Sequence, residues 1–157
     1  MKPKFAMYWA ASCGGCEIAV LNTHEKILDV DANFDVVFWP VAMDAKYHDV
    51  EAMEDGSILL TLFNGGIRND ENEHIAKLLR QKSKILVAFG SCACEGCIPG
   101  LANLSPVGDI VHTAFNTITT DNPNEIYPRT SYDVPEGELH IPTLSRIVRP
   151  LEQVVDV

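Results

Sequence analysis

All five cysteines of the chain fall in two short segments, Cys13-Gly14-Gly15-Cys16 and Cys92-Ala93-Cys94-Glu95-Gly96-Cys97. Thiolates bind soft metals and iron–sulfur clusters, and they attack disulfides. Each segment follows a short apolar run, residues 5–11 for the first and 85–89 for the second. Runs of this length read as buried strands. In an open α/β sheet the carboxyl ends of the strands form one rim, and ligands bind there. Two cysteine groups far apart in sequence are therefore expected to meet at one site. Cys13 and Cys16 also sit on a turn into a predicted helix N-terminus, where the dipole and free amides favour the thiolate. Gly14, Gly15, Gly90, Gly96 and Gly100 let the backbone approach a bulky ligand closely.

Spacing alone leaves four readings open. Cys13, Cys16 and Cys92 could share an iron–sulfur cluster with a fourth thiolate from elsewhere. Cys13-x-x-Cys16 and Cys94-x-x-Cys97 could form a four-cysteine zinc site stabilising an α/β binding module. The long gap between the pairs is unlike compact zinc ribbons. The Cys-Gly-Gly-Cys turn could be a thioredoxin-like redox pair, which leaves the second group unexplained. The last reading is five incidental thiols.

The elements around these segments point to one α/β domain. The chain has 157 residues, 46% of them hydrophobic, enough for one compact domain with a sizeable core. Apolar runs at residues 4–10, 35–40, 57–63 and 85–89 read as strands. A helix is expected over 17–30, on the face made by Val20, Leu21, Ile27 and Leu28, and another over 70–82. Residues 44–56 read as a loop or short helix. Residues 101–115 could hold a helix, 119–142 an extended surface segment, and 144–155 a helix interrupted or restarted at Pro150. Strands alternating with helices imply a doubly wound parallel sheet.

Charge and hydropathy narrow the partners. The formal charge of −10 gives no attraction for phosphates, so nucleic-acid binding is discounted. No stretch approaches the ~18 consecutive apolar residues of a membrane span. Met1-Lys2-Pro3-Lys4 lacks the pattern of a secretory signal, so a cytoplasmic location is expected. Disulfides are rare in that compartment, which favours metal or redox roles for the cysteines.

Several ordered motifs together resemble a known family. They are Ser12-Cys13-Gly14-Gly15-Cys16-Glu17, Phe38-Trp39-Pro40, Phe63-Asn64-Gly65-Gly66-Ile67-Arg68 and Gly90-Ser91-Cys92-Ala93-Cys94. The combination resembles the small subunit of NiFe hydrogenases. The likeness is to the cytoplasmic group that includes the methyl-viologen-reducing enzyme of methanogens, which associates with heterodisulfide reductase. The same domain occurs in the cluster-bearing 20 kDa subunit of respiratory complex I.

The resemblance implies a flavodoxin-like fold and a proximal 4Fe–4S cluster held by Cys13, Cys16 and Cys92. It implies an electron-transfer role beside a NiFe large subunit, further iron–sulfur subunits and heterodisulfide reductase. The family takes its fourth ligand from a Pro-Gly-Cys-Pro motif, and residues 1–157 contain none. The expectation is a domain truncated before that ligand. The alternative is a complete short protein in which Cys94 or Cys97 closes the site. Cys97 stands where the family usually has glycine, and Cys94 matches a cysteine of the methanogen-type group. Glu17 is a proton-relay candidate, one position from the family's usual acid. Arg68 is expected either to face the partner subunit or to form a surface salt bridge. A complex I-like role, feeding quinone or ferredoxin, is the alternative within the fold. Its members often carry adjacent cysteines where this chain has Cys-x-x-Cys. The five histidines show no ligand spacing, and Phe38 and Trp39 read as sheet core.

Overall fold

The computed structural model describes residues 2–117 and 119–157. Its elements in order are β1 (Lys4–Trp9), α1 (Gly15–Leu21), α2 (Ile27–Asn33), β2 (Asp35–Phe38), α3 (Tyr47–Glu51), β3 (Ile58–Asn64) and β4 (Ile67–Asn69). There follow α4 (Asp70–Lys82), β5 (Ser83–Phe89), α5 (Ser91–Glu95), α6 (Cys97–Gly100), α7 (Val107–Asn116), β6 (Ser131–Val134), β7 (Gly137–His140) and β8 (Leu144–Arg149). The central sheet has the order β2-β1-β3-β5, with every pairing parallel. This is the flavodoxin-like, doubly wound arrangement expected from the sequence. Its switch point lies between β1 and β3, where ligands of such sheets bind.

Alternation along the strands builds two apolar layers. On one face, Ala6, Tyr8, Phe38, Ile58 and Phe63 pack with Val50 of α3 and with Ile75 and Leu79 of α4. On the other, Phe5, Met7 and Trp39 pack with Val20, Ile27, Leu60, Leu62 and Phe89. Phe38 and Trp39 are thus core, as the sequence implied. Helix α4 is capped by Asn69, whose side chain accepts from the Asn72 amide at 2.8 Å. Its acids lie in the first turn and Arg80 and Lys82 in the last, complementing the dipole.

Several expectations need correction. The helix predicted over 17–30 breaks in two: Asn22 and Thr23 interrupt it, the Thr23 hydroxyl donates to the Val20 carbonyl, and His24 takes a φ of 54°. Short polar side chains that bond their own backbone compete with helix continuation. Residues 44–56 do contain a short helix, α3. Pro106 divides the 101–115 region into a 3₁₀ turn (Leu101–Leu104) and α7. Within 119–142 the chain forms a hairpin, β6–β7. The helix predicted over 144–155 is instead strand β8, antiparallel to β4, followed by a 3₁₀ turn (Leu151–Gln153). Ile147 and Val148 suit a strand, and β4 needs a partner for its backbone. Strand β5 is an edge of the sheet, so Ile85, expected to be buried, is exposed. Among the described residues no helix is long and apolar enough to cross a membrane.

Candidate functional site

The two cysteine segments meet at the carboxyl rim. Strand β1 ends at Trp9 and leads to Cys13 and to Cys16 in the first turn of α1; β5 ends at Phe89 and leads through Gly90 to Cys92 in α5. The two loops touch at Gly90. A Cβ added there would fall 2.2 Å from the Cys16 Sγ, and the residue holds a φ of +87°. The first loop is also pinned to the turn after β3. Ala10 donates to the Asn64 carbonyl at 2.7 Å, and Ala11 and Gly66 exchange hydrogen bonds of 3.2 and 2.8 Å. Gly65, at φ +103°, permits this contact, because a Cβ there would lie 2.8 Å from the Ala10 carbonyl carbon.

Cys13, Cys94 and Cys97 are exposed, Cys16 is half-buried and Cys92 is buried. Burial pushes the Cys16 thiol up, and the adjacent Cys13, Cys94 and Glu17 push it further. Burial likewise raises the Cys92 thiol, helped by Cys97 and Cys13. The structure therefore brings all five sulfurs into one electrostatic neighbourhood, where burial first and neighbouring acidic groups second disfavour the thiolate at Cys16 and Cys92. A cationic core would remove that repulsion, since metals bind the deprotonated thiolate. Among the described residues no three His, Cys, Asp or Glu side chains converge as ligands of a single ion. Thiolates are the donors that an iron–sulfur group takes. Sulfur donors from two loops over a glycine floor fit that group.

The remaining thiols differ from these. The Cys94 Sγ–H donates to the Ala88 carbonyl at 3.3 Å. Cys97 has a φ of +37°, a left-handed backbone conformation, which accounts physically for glycine at this position in the resembled family. Glu17 is buried. Its Oε1 accepts from the Trp39 indole N–H at 3.1 Å, and its Oε2 has no partner among the described residues. Burial raises the Glu17 carboxyl above the ordinary range, and the Trp39 hydrogen bond pulls it back in part. Arg68 lines a cleft with Asn103, Val107 and Ile147. All five histidines are exposed.

Two features escaped sequence reasoning. One is the Trp39–Glu17 bond, which joins residues of separate elements. The other is Asn64, fully buried at the end of β3 with neither amide atom partnered. Its signal was an asparagine closing an apolar run immediately before two glycines.

Comparison with known proteins agrees with this geometry. The family described as NADH ubiquinone oxidoreductase, 20 Kd subunit, matches residues 13–136. The iron-sulfur subunit of an F420-non-reducing hydrogenase from Archaeoglobus profundus is 43% identical over 159 aligned positions, covering 100% of this chain and 50% of that protein. An F420-non-reducing hydrogenase subunit from Methanothermobacter thermautotrophicus is 38% identical, with 99% and 46% covered. The chain thus spans about half the length of these curated relatives. A chain in the crystal structure of the NAD+-reducing [NiFe]-hydrogenase in its H2-reduced state superposes with a TM-score of 0.84 at 25% identity. That match covers 100% of this chain and 79% of the other. A matched span that takes in both cysteine segments, together with relatives aligned along the whole chain, shows that this protein belongs to the family of the 20 kDa NADH:ubiquinone oxidoreductase subunit, the domain expected from its cysteine motifs.

Proposed function

We propose that this chain is the electron-transfer part of a NiFe hydrogenase small subunit and holds a proximal 4Fe–4S cluster through Cys13, Cys16 and Cys92. The observation that carries this reading is the apposition of Cys16 with Gly90, which sets both cysteine loops against one glycine-floored rim. When bound, the cluster would carry single electrons between the nickel–iron site of a large subunit and further iron–sulfur or flavin carriers. The chain supplies thiolates, a low-dielectric floor and backbone amides, the levers that set a cluster's potential. A fourth ligand completes the site from outside these three cysteines. Glu17 holds its proton to higher pH than an exposed glutamate, which suits a proton-relay role beside Cys16.

Exposed Trp9, Ile18 and Ile98 flank the cysteine loops and form the face on which the large subunit would seat. A further iron–sulfur subunit and heterodisulfide reductase complete the proposed assembly, in the cytoplasm. The reading is tested by anaerobic iron and sulfide analysis with EPR on the reduced complex. Loss of about four irons and four sulfides per complex in Cys16→Ser, together with one 4Fe–4S signal, supports it. Zinc without iron would favour the structural zinc reading instead, and disulfide reductase activity with no metal would favour the thioredoxin-like one.

A further inference from the structure

We propose that the side-chain amide of Asn64 donates a hydrogen bond to a sulfur of the cluster and thereby raises its reduction potential. This inference rests on the reading that the rim holds a 4Fe–4S cluster.

Asn64 is the last residue of β3 and is fully buried. Its Nδ2 and Oδ1 both lack a partner, so exchanging the two atoms changes nothing. A carboxamide carries two donors and two acceptor sites, and a buried one left unmatched is strongly disfavoured. Four buried side-chain polar atoms among the described residues are unmatched, and three of them belong to Asn64 and Glu17. The fourth, the Ser57 hydroxyl, precedes the opposite end of β3. The unmet polarity is therefore concentrated at the cysteine rim.

Topology aims Asn64 at the ligands. In register it lies between Trp9, which leads to Cys13 and Cys16, and Phe89, which leads to Gly90 and Cys92. It stands at the β1/β3 switch point of the sheet. Neighbouring strands are about 4.8 Å apart, so Asn64 is one strand spacing from the Phe89–Gly90 step over which the Cys16 sulfur sits. Strand alternation puts its side chain on the face of Leu60 and Leu62, the layer that contains Trp39, the partner of Glu17. Cluster and thiolate sulfurs are acceptors only, so a donor is what they require. Hydrogen bonds to sulfur favour the more negative, reduced cluster.

The test compares Asn64→Leu and Asn64→Asp with the wild-type hydrogenase complex, purified anaerobically. Iron and sulfide are measured first, then the midpoint potential by EPR-monitored titration. Asn64→Leu keeps the branched heavy-atom shape and removes the donor. The ratio of reduced to oxidised cluster at a fixed ambient potential should fall about tenfold, a shift of about 59 mV for a one-electron couple, toward more negative potential. Asn64→Asp, isosteric with an ionisable acceptor in place of the donor, should shift it the same way. A fully loaded variant whose potential is unchanged overturns the inference and leaves the cluster assignment standing. Wild-type protein without iron overturns both. If neither variant loads, pulsed EPR on wild-type complex labelled with 15N in the asparagine side-chain amide decides. A 15N coupling at the reduced cluster supports the proposal, and its absence, as for an amide satisfied by water, refutes it.

Discussion

Replacing Gly90 with alanine perturbs the site where the two cysteine loops touch. The added Cβ would lie 2.2 Å from the Cys16 sulfur, where ordinary contact begins at 3.4 Å, so the sulfur or the loop must retreat by about 1.2 Å. Gly90 also holds φ +87° and ψ 162°, a region that only glycine occupies comfortably. The backbone term costs about 1–3 kcal/mol and the overpacking a similar amount, so Gly90→Ala should destabilise the chain by about 2–6 kcal/mol. For a chain of this size that lowers the melting temperature by roughly 5–20 °C. Displacing Cys16 also takes one thiolate out of position, so the complex should lose about four irons and four sulfides, those of this chain's cluster. Gly100→Ala is the matched control, because a Cβ there meets nothing within 4 Å. The assays are urea unfolding of iron-free chain and anaerobic iron analysis of the complex. A Gly90→Ala protein with full iron content and an unaltered reduced EPR spectrum would refute the argument that Cys16 and the Gly90 loop form one site.

Further expectations follow from individual side chains. Glu17→Gln keeps the acceptor for the Trp39 N–H and removes a buried ionisable group, so iron-free chain should gain about 1 kcal/mol at neutral pH. Because the folded carboxyl is raised, wild-type stability should decline as pH climbs from the ordinary glutamate value toward the folded one, and Glu17→Gln should lack that decline in pH-dependent unfolding. Cys97→Gly relieves a left-handed backbone at φ +37° and should raise the unfolding midpoint by the equivalent of about 0.5–1 kcal/mol. It should leave iron content unchanged, and loss of iron would place Cys97 among the ligands. Lys77, and after it Arg149, hold the Glu73 carboxyl below its ordinary range. Their stabilisation is present above the ordinary glutamate value and is lost as pH falls through the folded one. Arg149→Met should therefore flatten the acid limb of the stability curve and cost about 0.5–1 kcal/mol at pH 7.

The parts of the fold legible in sequence were those decided by local pattern. Runs such as Val36-Val37-Phe38 and Leu60-Thr61-Leu62-Phe63 read as strands because they lie in a sheet covered on both faces. Helix α4 was legible because its capping, its charges and its apolar period agree. The misread segments depend on partners distant in the chain. Residues 144–149 have a plausible helical pattern, and only the exposed backbone of β4 makes them a strand. Ile85 reads as core until the sheet order makes β5 an edge. At the site, the cysteines were visible by type and spacing. Asn64 and the Glu17–Trp39 pair were not, because each is defined by burial and by what faces it.

The structure also bears on why these residues are gathered where folding alone would disfavour them. Two thiols are raised by burial and crowding, Glu17 and Asn64 present unmatched polar atoms, and Cys97 adopts a backbone suited to glycine. The unmatched polar atoms and the Cys97 backbone disfavour the iron-free fold, and all of these groups lie beside one rim. Local rules broken together at one place mark a functional site more strongly than any single motif does. The same terms have a thermodynamic consequence. A group that binds the thiolates and accepts from Asn64 binds the folded chain and not the unfolded one, and that binding free energy stabilises the fold. Iron-loaded protein should therefore melt well above iron-free chain. Gly90→Ala should narrow that gap by preventing loading, and Asn64→Leu should narrow it from the other side, by raising the iron-free melting temperature.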